Sequence, residues 1–293
     1  MLSATLISRD SAGAGRARIG LDVSDQAFLR DHRVGPRAIL STVMSLEAMG
    51  EAALALRPGS VVSSVDELTK RRPLFVGDGE PETIEIEVVP ETADVQRCRV
   101  VSDPDGARVH HDEALLTLAE RLPGGRVSTS PTGATGPSVA QALIYRLFFH
   151  GHSFQVVGSA HLGEDCLIAT LSPDLPPLTD ARRPSAVAPR LIELCLQGAG
   201  LLELEKTSRM MIPRSLDQVV RYSDVAADSG VPLRAIVRRR PGSEGEQESM
   251  VFDAALLDDA DQMHLEVRGY RTAPFDQPVD DAAVAAIVTA LRG

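Results

Sequence analysis

Tryptophan is missing from this chain of 293 residues, and all aromatics together make up only 3%. Stacking platforms for single-stranded nucleic acid need such side chains. The net charge of −11 also lacks the positive excess that a phosphate backbone demands. Nucleic acid is therefore excluded as a partner. Cysteine is scarce: Cys98, Cys166 and Cys195 are odd in number and unclustered, which excludes a disulfide framework or a cysteine-built zinc site and fits a reducing compartment. No apolar run is long enough to cross a bilayer, because Gly50, Glu51, Glu193 and Gln197 interrupt the best candidates. The opening MLSATLISRDSAGAGRAR has no basic lead-in followed by a sustained apolar core, so it is no secretory signal. A glycine-rich nucleotide fingerprint and a GxSxG elbow are also lacking, and nothing calls for a bound organic cofactor. The expectation is a cytoplasmic protein with no membrane contact.

What is present reads as ordinary globular chain, 43% hydrophobic and 24% charged. It divides at residues 122–138, LPGGRVSTSPTGATGPS, a linker rich in Gly, Pro, Ser and Thr. The halves, 1–121 and 139–293, share a plan. In the first, a strand at Ala17 to Val23 leads through a loop bearing His32 into a helix, Ser41 to Leu56. Strands then follow at Val61 to Thr69, Thr83 to Val89, Gln96 to Val101 and Val109 to Leu118. The run ETIEIEVV alternates charged and apolar residues, the mark of a half-exposed strand. The second half opens with a short helix, Val139 to Phe148, and strands at Phe154 to His161 and Asp165 to Leu171. The helix around Glu193, Leu191 to Leu204, comes next. Strands at Leu216 to Tyr222, Leu233 to Arg240, Ser249 to Leu257 and Met263 to Tyr270 follow, with a closing helix at Asp280 to Leu291. Each half is thus a long apolar helix and an antiparallel meander able to wrap it.

The helix around Glu193 is apolar on nearly every face, and such a helix is normally buried. Glu193 and Gln197 nevertheless lie on it at i, i+4, one turn apart on one face. A buried carboxyl beside an amide, with a histidine elsewhere, is equipment for acid–base chemistry or, on the plainer reading, a polar pair satisfied inside a core. Glu47 and Glu51 repeat the spacing on the first helix and read as structural or partly exposed. His150 and His152 flank Gly151 like a metal pair, but no third ligand cluster accompanies them, so they read as lining a pocket. His110 and His111 read as surface.

In this order and separation the motifs resemble those of the polyketide synthase dehydratase domains, hydroxyacyl-carrier-protein dehydratases with a double hotdog fold. DHRVGPRAILS resembles the family's HxxxGxxxxP, supplying His32, with Pro36 at the glycine position, Gly35 beside it and Ser41 at the proline position. ELCLQ resembles DxxxQ, with Glu193 for aspartate and Gln197 kept. His150-Gly151-His152-Ser153-Phe154 resembles YGPxF, keeping the glycine and the phenylalanine. The resemblance implies an α+β class fold, two helix-wrapped antiparallel sheets joined into one continuous sheet.

For activity it implies removal of water from a 3-hydroxyacyl thioester. His32 would be the base and Glu193 the acid, its proton retained by burial, with Gln197 orienting it. Backbone N–H groups at the helix start, reached through Leu40 and Ser41, would hold the thioester oxygen. Pro36, His150, Gly151, His152 and Phe154 would line the pocket. The resemblance implies no cofactor of the protein's own, the substrate arriving on the phosphopantetheine arm of an acyl carrier protein within polyketide synthase modules. Carrier proteins are acidic, so docking is expected on a local basic patch, Arg182, Arg183 and Arg190. A homodimer is a further expectation. Two alternatives stay open on the same fold: an enoyl isomerase, favoured by Pro36 and Ser41, and a catalytically silent acyl-binding hotdog.

Overall fold

The computed structural model describes residues 2–128, 136–178, 184–241, 250–275 and 277–293. Among these residues fourteen strands form one sheet, antiparallel throughout. From one edge inward run Thr5–Arg9, Gly15–Leu21, Glu82–Pro90, Val95–Ser102, Val109–Ala119 and Val61–Lys70. The sheet continues through Met211–Arg221, Gln262–Pro274, Val251–Asp258, Leu233–Arg239, Leu167–Leu171, Val157–Leu162 and Ser138–Ala140. The short strand Arg126–Val127, inside the expected linker, pairs with Gln262–Pro274. The two series meet where Val61–Lys70 pairs with Met211–Arg221, with Val65 opposite Val219 and Leu68 opposite Leu216. This is the expected double hotdog: one sheet, with a long helix packed against each half.

The strands follow from their pattern. In Gly15–Leu21 buried and exposed residues alternate without a break, as a pleated strand with one covered face requires. The two long helices are Thr42–Leu56 and Pro189–Thr207, nearly all of whose residues are buried, and Asp281–Arg292 closes the chain. Ser41 caps the first, its side chain accepting from the Met44 amide at 3.3 Å, a bond of a kind worth about 1 kcal/mol. Pro189 opens the second, where a missing N–H costs nothing.

The first helix fixes where the second begins. Glu47 is buried and accepts the amides of Ala186 and Val187 at 2.7 and 3.0 Å. Gly50 lets the segment come close: a Cβ there would sit 2.7 Å from that of Ala186. Ala188 then turns the chain at φ +58°, a left-handed conformation that strains a residue with a side chain. Glu47 is therefore structural, and Glu51 fastens the N-terminus by accepting the Ala4 amide at 3.1 Å.

Two expectations change, and two elements that the sequence left unread appear. The helix expected over Val139 to Phe148 is a strand, Ser138–Ala140, followed by a single helical turn, Gln141–Ile144. Pairing of Val139 with Ala160 extends the sheet edge and overrides the local helical pattern. Thr5–Arg9 escapes a pattern reading because every residue in it is exposed. A second, three-stranded sheet, Arg33–Val34, Arg37–Ile39 and Phe75–Val76, brings back the chain around His32. His111 is buried, not at the surface, with its ring 2.7 Å from Ser102 Oγ.

Candidate active site

His32 follows a single helical turn, Ala27–Arg30, and opens the small sheet. The hairpin after it turns at Gly35, with φ at +58°, and at Pro36. A two-residue hairpin loop needs a positive φ at its first position, which explains why the glycine stands at 35 and not at 36. The returning strand places Ile39 beside the imidazole, and Nδ1–H donates to the Ile39 carbonyl at 2.8 Å. That bond fixes the tautomer and leaves the lone pair on Nε2. Phe149 and Phe154 meet the ring edge-on, at centroid distances of 5.3 and 5.9 Å. His32 is only 8% exposed. Burial pushes its pKa down to about 4, so the ring is neutral at pH 7.

Glu193 comes from the interior of Pro189–Thr207 and is 6% exposed. Its Oε1 accepts from Gln197 Nε2 at 2.9 Å and from His150 Nε2 at 3.2 Å. Gln197 Nε2 also donates to the Phe154 carbonyl at 3.0 Å. Gln197 Oε1 accepts from the Tyr145 hydroxyl at 2.6 Å, and that hydroxyl accepts the Val157 amide at 2.8 Å. Burial pushes the Glu193 carboxyl up, but the donors His150 and Gln197 and the nearby His32 outweigh it, and the net effect holds the carboxyl below its ordinary value. The expected upward shift is thereby corrected: the reading from sequence counted burial and missed the donors.

His32, Glu193, Gln197 and His150 all line one cavity of about 260 Å³. Its remaining wall is largely apolar, including Phe75, Phe149, Met210 and Phe275. Among the described residues no group of three or more His, Cys, Asp or Glu side chains is placed to hold a metal ion. No helix among them is long and apolar enough to cross a membrane.

Other expected site residues fall elsewhere. Leu40 and Ser41 line the cavity, but the Leu40 amide is taken by the Leu74 carbonyl at 2.9 Å and so is not free for a substrate oxygen. Pro36 is in the exposed hairpin turn, and His152 is exposed as well; neither lines the cavity. Gly151 and Phe154 support the site from behind. The Gly151 amide donates to the Asp31 carbonyl at 2.5 Å, and Phe154 packs on His32. Arg190 is buried, its guanidinium donating to the carbonyls of Ser153 at 2.8 Å and Pro176 at 2.5 Å. It braces these loops and presents no charge for docking. Arg182 and Arg183 lie outside the described residues. Sequence reasoning missed Tyr145 and Phe149. An aromatic-rich run, YRLFFH, in a chain so poor in aromatics was the available signal.

A family described as "Polyketide synthase dehydratase domain" matches residues 2–103, and one described as "Polyketide synthase dehydratase N-terminal domain" matches residues 121–282. No curated protein sequence matches. Similar solved structures include a dehydratase domain of a trans-AT polyketide synthase from Brevibacillus brevis, 20% identical, TM-score 0.74, covering 92% of this chain and 98% of that one. The dehydratase domain of the CurJ module of curacin polyketide synthase is 17% identical, with TM-score 0.76 and coverage of 93% and 97%. An inactive mutant of the CurK dehydratase, carrying asparagine for aspartate, is 15% identical, with TM-score 0.70 and coverage of 94% and 98%.

Proposed function

The chain belongs to the polyketide synthase dehydratase family, and we propose that it removes water from a 3-hydroxyacyl thioester carried by an acyl carrier protein, with His32 as base and Glu193 on the acid side. The observation that carries this reading is the pairing of a neutral, tautomer-fixed histidine with a hydrogen-bonded carboxyl in one apolar cavity. His32 Nε2 takes the proton next to the thioester carbonyl. The C–H electron pair becomes the new double bond as the C–O bond breaks, and the acid side gives the departing oxygen its proton. Low polarity around the reacting atoms strengthens each of these electrostatic contacts.

The thioester oxygen needs donors other than Leu40. Thr42 lines the cavity in the first turn of its helix, where main-chain N–H groups have no partner within the helix. Its amide takes the oxyanion role in this reading. The inactive aspartate-to-asparagine mutant of the CurK dehydratase supports a carboxyl in the reaction, and Glu193 is the carboxyl in this cavity.

One observation favours the isomerase as second reading. A Glu193 carboxyl held below its ordinary range holds its own proton poorly, and a double-bond shift needs only one base. A 2-enoyl thioester in heavy water separates the two. Hydration, seen as loss of the conjugated absorbance, supports the dehydratase run in reverse. Deuterium uptake at the carbon beyond the double bond, without hydration, supports the isomerase instead.

The carrier partner, its phosphopantetheine arm and a docking patch at Arg182 and Arg183 belong to the same reading. Reversing both charges is expected to slow turnover of carrier-bound substrate and spare a small thioester. Equal loss on both substrates would count against docking there.

A further inference from the structure

The two histidines of the cavity are held in opposite ways. His32 gives Nδ1–H to a main-chain carbonyl. His150 turns Nε2 to a carboxylate, 3.2 Å from Glu193 Oε1, while its Nδ1 is buried with no hydrogen-bond partner. A ring whose Nδ1–H bonds a carbonyl has Nε2 set as its basic nitrogen, and burial keeps His32 neutral. A ring that faces a carboxylate has a partner that favours its protonated form, and nothing at Nδ1 holds it to a single tautomer.

We infer that His150 is a catalytic residue, sharing one proton with Glu193 and supplying it to the leaving hydroxide. The inference rests on the dehydratase reading and deepens it.

The network around Glu193 Oε1 favours His150 as the carrier of that proton. The Gln197 carbonyl oxygen is occupied by Tyr145, so its amide group meets the carboxyl only as a donor. A carboxyl carrying its own proton on Oε1 would find donors facing it from both Gln197 and His150. The imidazole meets that oxygen as a donor and is itself able to bear the proton. Phe149 stacks on it at 4.8 Å and 13°, holding the ring plane without competing for its nitrogens. His150 also lines the cavity, beside the Glu193 carboxyl that its Nε2 faces. At this position the family motif YGPxF has tyrosine, a hydrogen-bond donor that does not carry a second proton.

The proton count closes. His32, 5.3 Å away between ring centroids, is kept neutral by burial, so one proton serves the acid side and none the base. In turnover the substrate α-proton goes to His32 Nε2, its bonding pair forms the double bond, and the departing oxygen leaves as water with the proton of the pair. His32 then loses its proton to solvent and the pair takes one up, restoring the start.

Other polar groups in this region have partners or are held by burial. Lys70, which lines the cavity, is paired with Asp112 at 3.3 Å. The Tyr145 and Tyr270 hydroxyls are pushed up by burial and stay protonated. The Asp31 carboxylate accepts the Ser153 amide at 2.7 Å.

The test compares pH–rate profiles of the whole chain, His150→Gln and His150→Tyr on a small 3-hydroxyacyl thioester, with nitrogen NMR of the histidines in the unliganded protein. Both variants are expected to lose about 100-fold in turnover, the lower end of the range for general acids. The alkaline limb of the wild-type profile should move by more than one pH unit in both. NMR should show His150 doubly protonated at neutral pH while His32 is neutral, and His32 should titrate at higher pH in the variants. An unchanged profile shape with uniformly lower turnover would overturn the inference, as would a neutral His150 at pH 6 to 7. If the wild type turns over no hydroxyacyl thioester, the dehydratase reading fails, while NMR still decides whether His150 holds the proton.

Discussion

Tyr145 donates its phenolic proton to Gln197 Oε1 at 2.6 Å while accepting the Val157 amide at 2.8 Å. One hydroxyl therefore fixes which way the Gln197 amide faces, and through it the side of Glu193 that receives a donor. Removing it in Tyr145→Phe leaves a buried amide N–H and a buried carbonyl oxygen unpaired, at about 1–3 kcal/mol for each such group. The variant should unfold at lower urea concentration and lose about 10-fold in turnover, read by denaturation and by kcat on a small thioester.

Gly151 has no room for a side chain. A Cβ would stand 2.8 Å from the Asp31 Cα, so the backbone itself must shift. Gly151→Ala should break the amide bond to the Asp31 carbonyl and displace the neighbouring His150. A shift of this kind near the reacting groups is expected to cost about 100-fold in turnover. Stability should fall by about 1–3 kcal/mol, as for other overpacked sites.

The depressed pKa of His32 has a defined sign for stability. Between its folded value of about 4 and its unfolded value of 6.5, the unfolded chain binds the extra proton and the folded chain does not. Stability therefore falls as the pH drops through that window, by up to about 3 kcal/mol. His32→Gln should flatten this fall, measured as the difference in unfolding free energy between the two proteins from pH 7 to pH 4.

Glu203 acts in the opposite sense. It is buried, accepts the Thr272 hydroxyl at 2.7 Å, and burial pushes its pKa up to about 7. The folded chain thus holds a proton that the unfolded chain has lost, and stability falls as the pH rises from about 4.5 to 7. Glu203→Gln keeps an acceptor for Thr272 without the charge. Its advantage over the wild type should grow across that window and level off above it, by up to about 3 kcal/mol. The windows of His32 and Glu203 overlap with opposite slopes, so only single-variant comparisons resolve either one.

The sheet was legible where strands have one covered face, since alternation as in ETIEIEVV survives in sequence. Thr5–Arg9 was not legible, because an edge strand with every residue exposed carries no such signal. The helix around Glu193 was legible from its uninterrupted apolar character, and its i, i+4 pair proved to be in contact. The state of that carboxyl was not, because its controlling partner, His150, lies in a distant segment brought near by an isolated bridge between His32 and His150. Charge runs misled at Arg190: a basic residue beside an apolar helix reads as surface, yet its donors meet main-chain carbonyls inside the protein.

Intact-mass spectrometry of a 3-hydroxyacyl-loaded carrier protein, incubated with the wild type, His32→Ala and Glu193→Gln, tests the central claim most directly. The wild type should remove one water from the acyl chain, and each substitution should lower that rate by about 100-fold or more. Loss of water at the wild-type rate with His32→Ala, or an unchanged hydroxyacyl mass with the wild type across several chain lengths, would contradict the account.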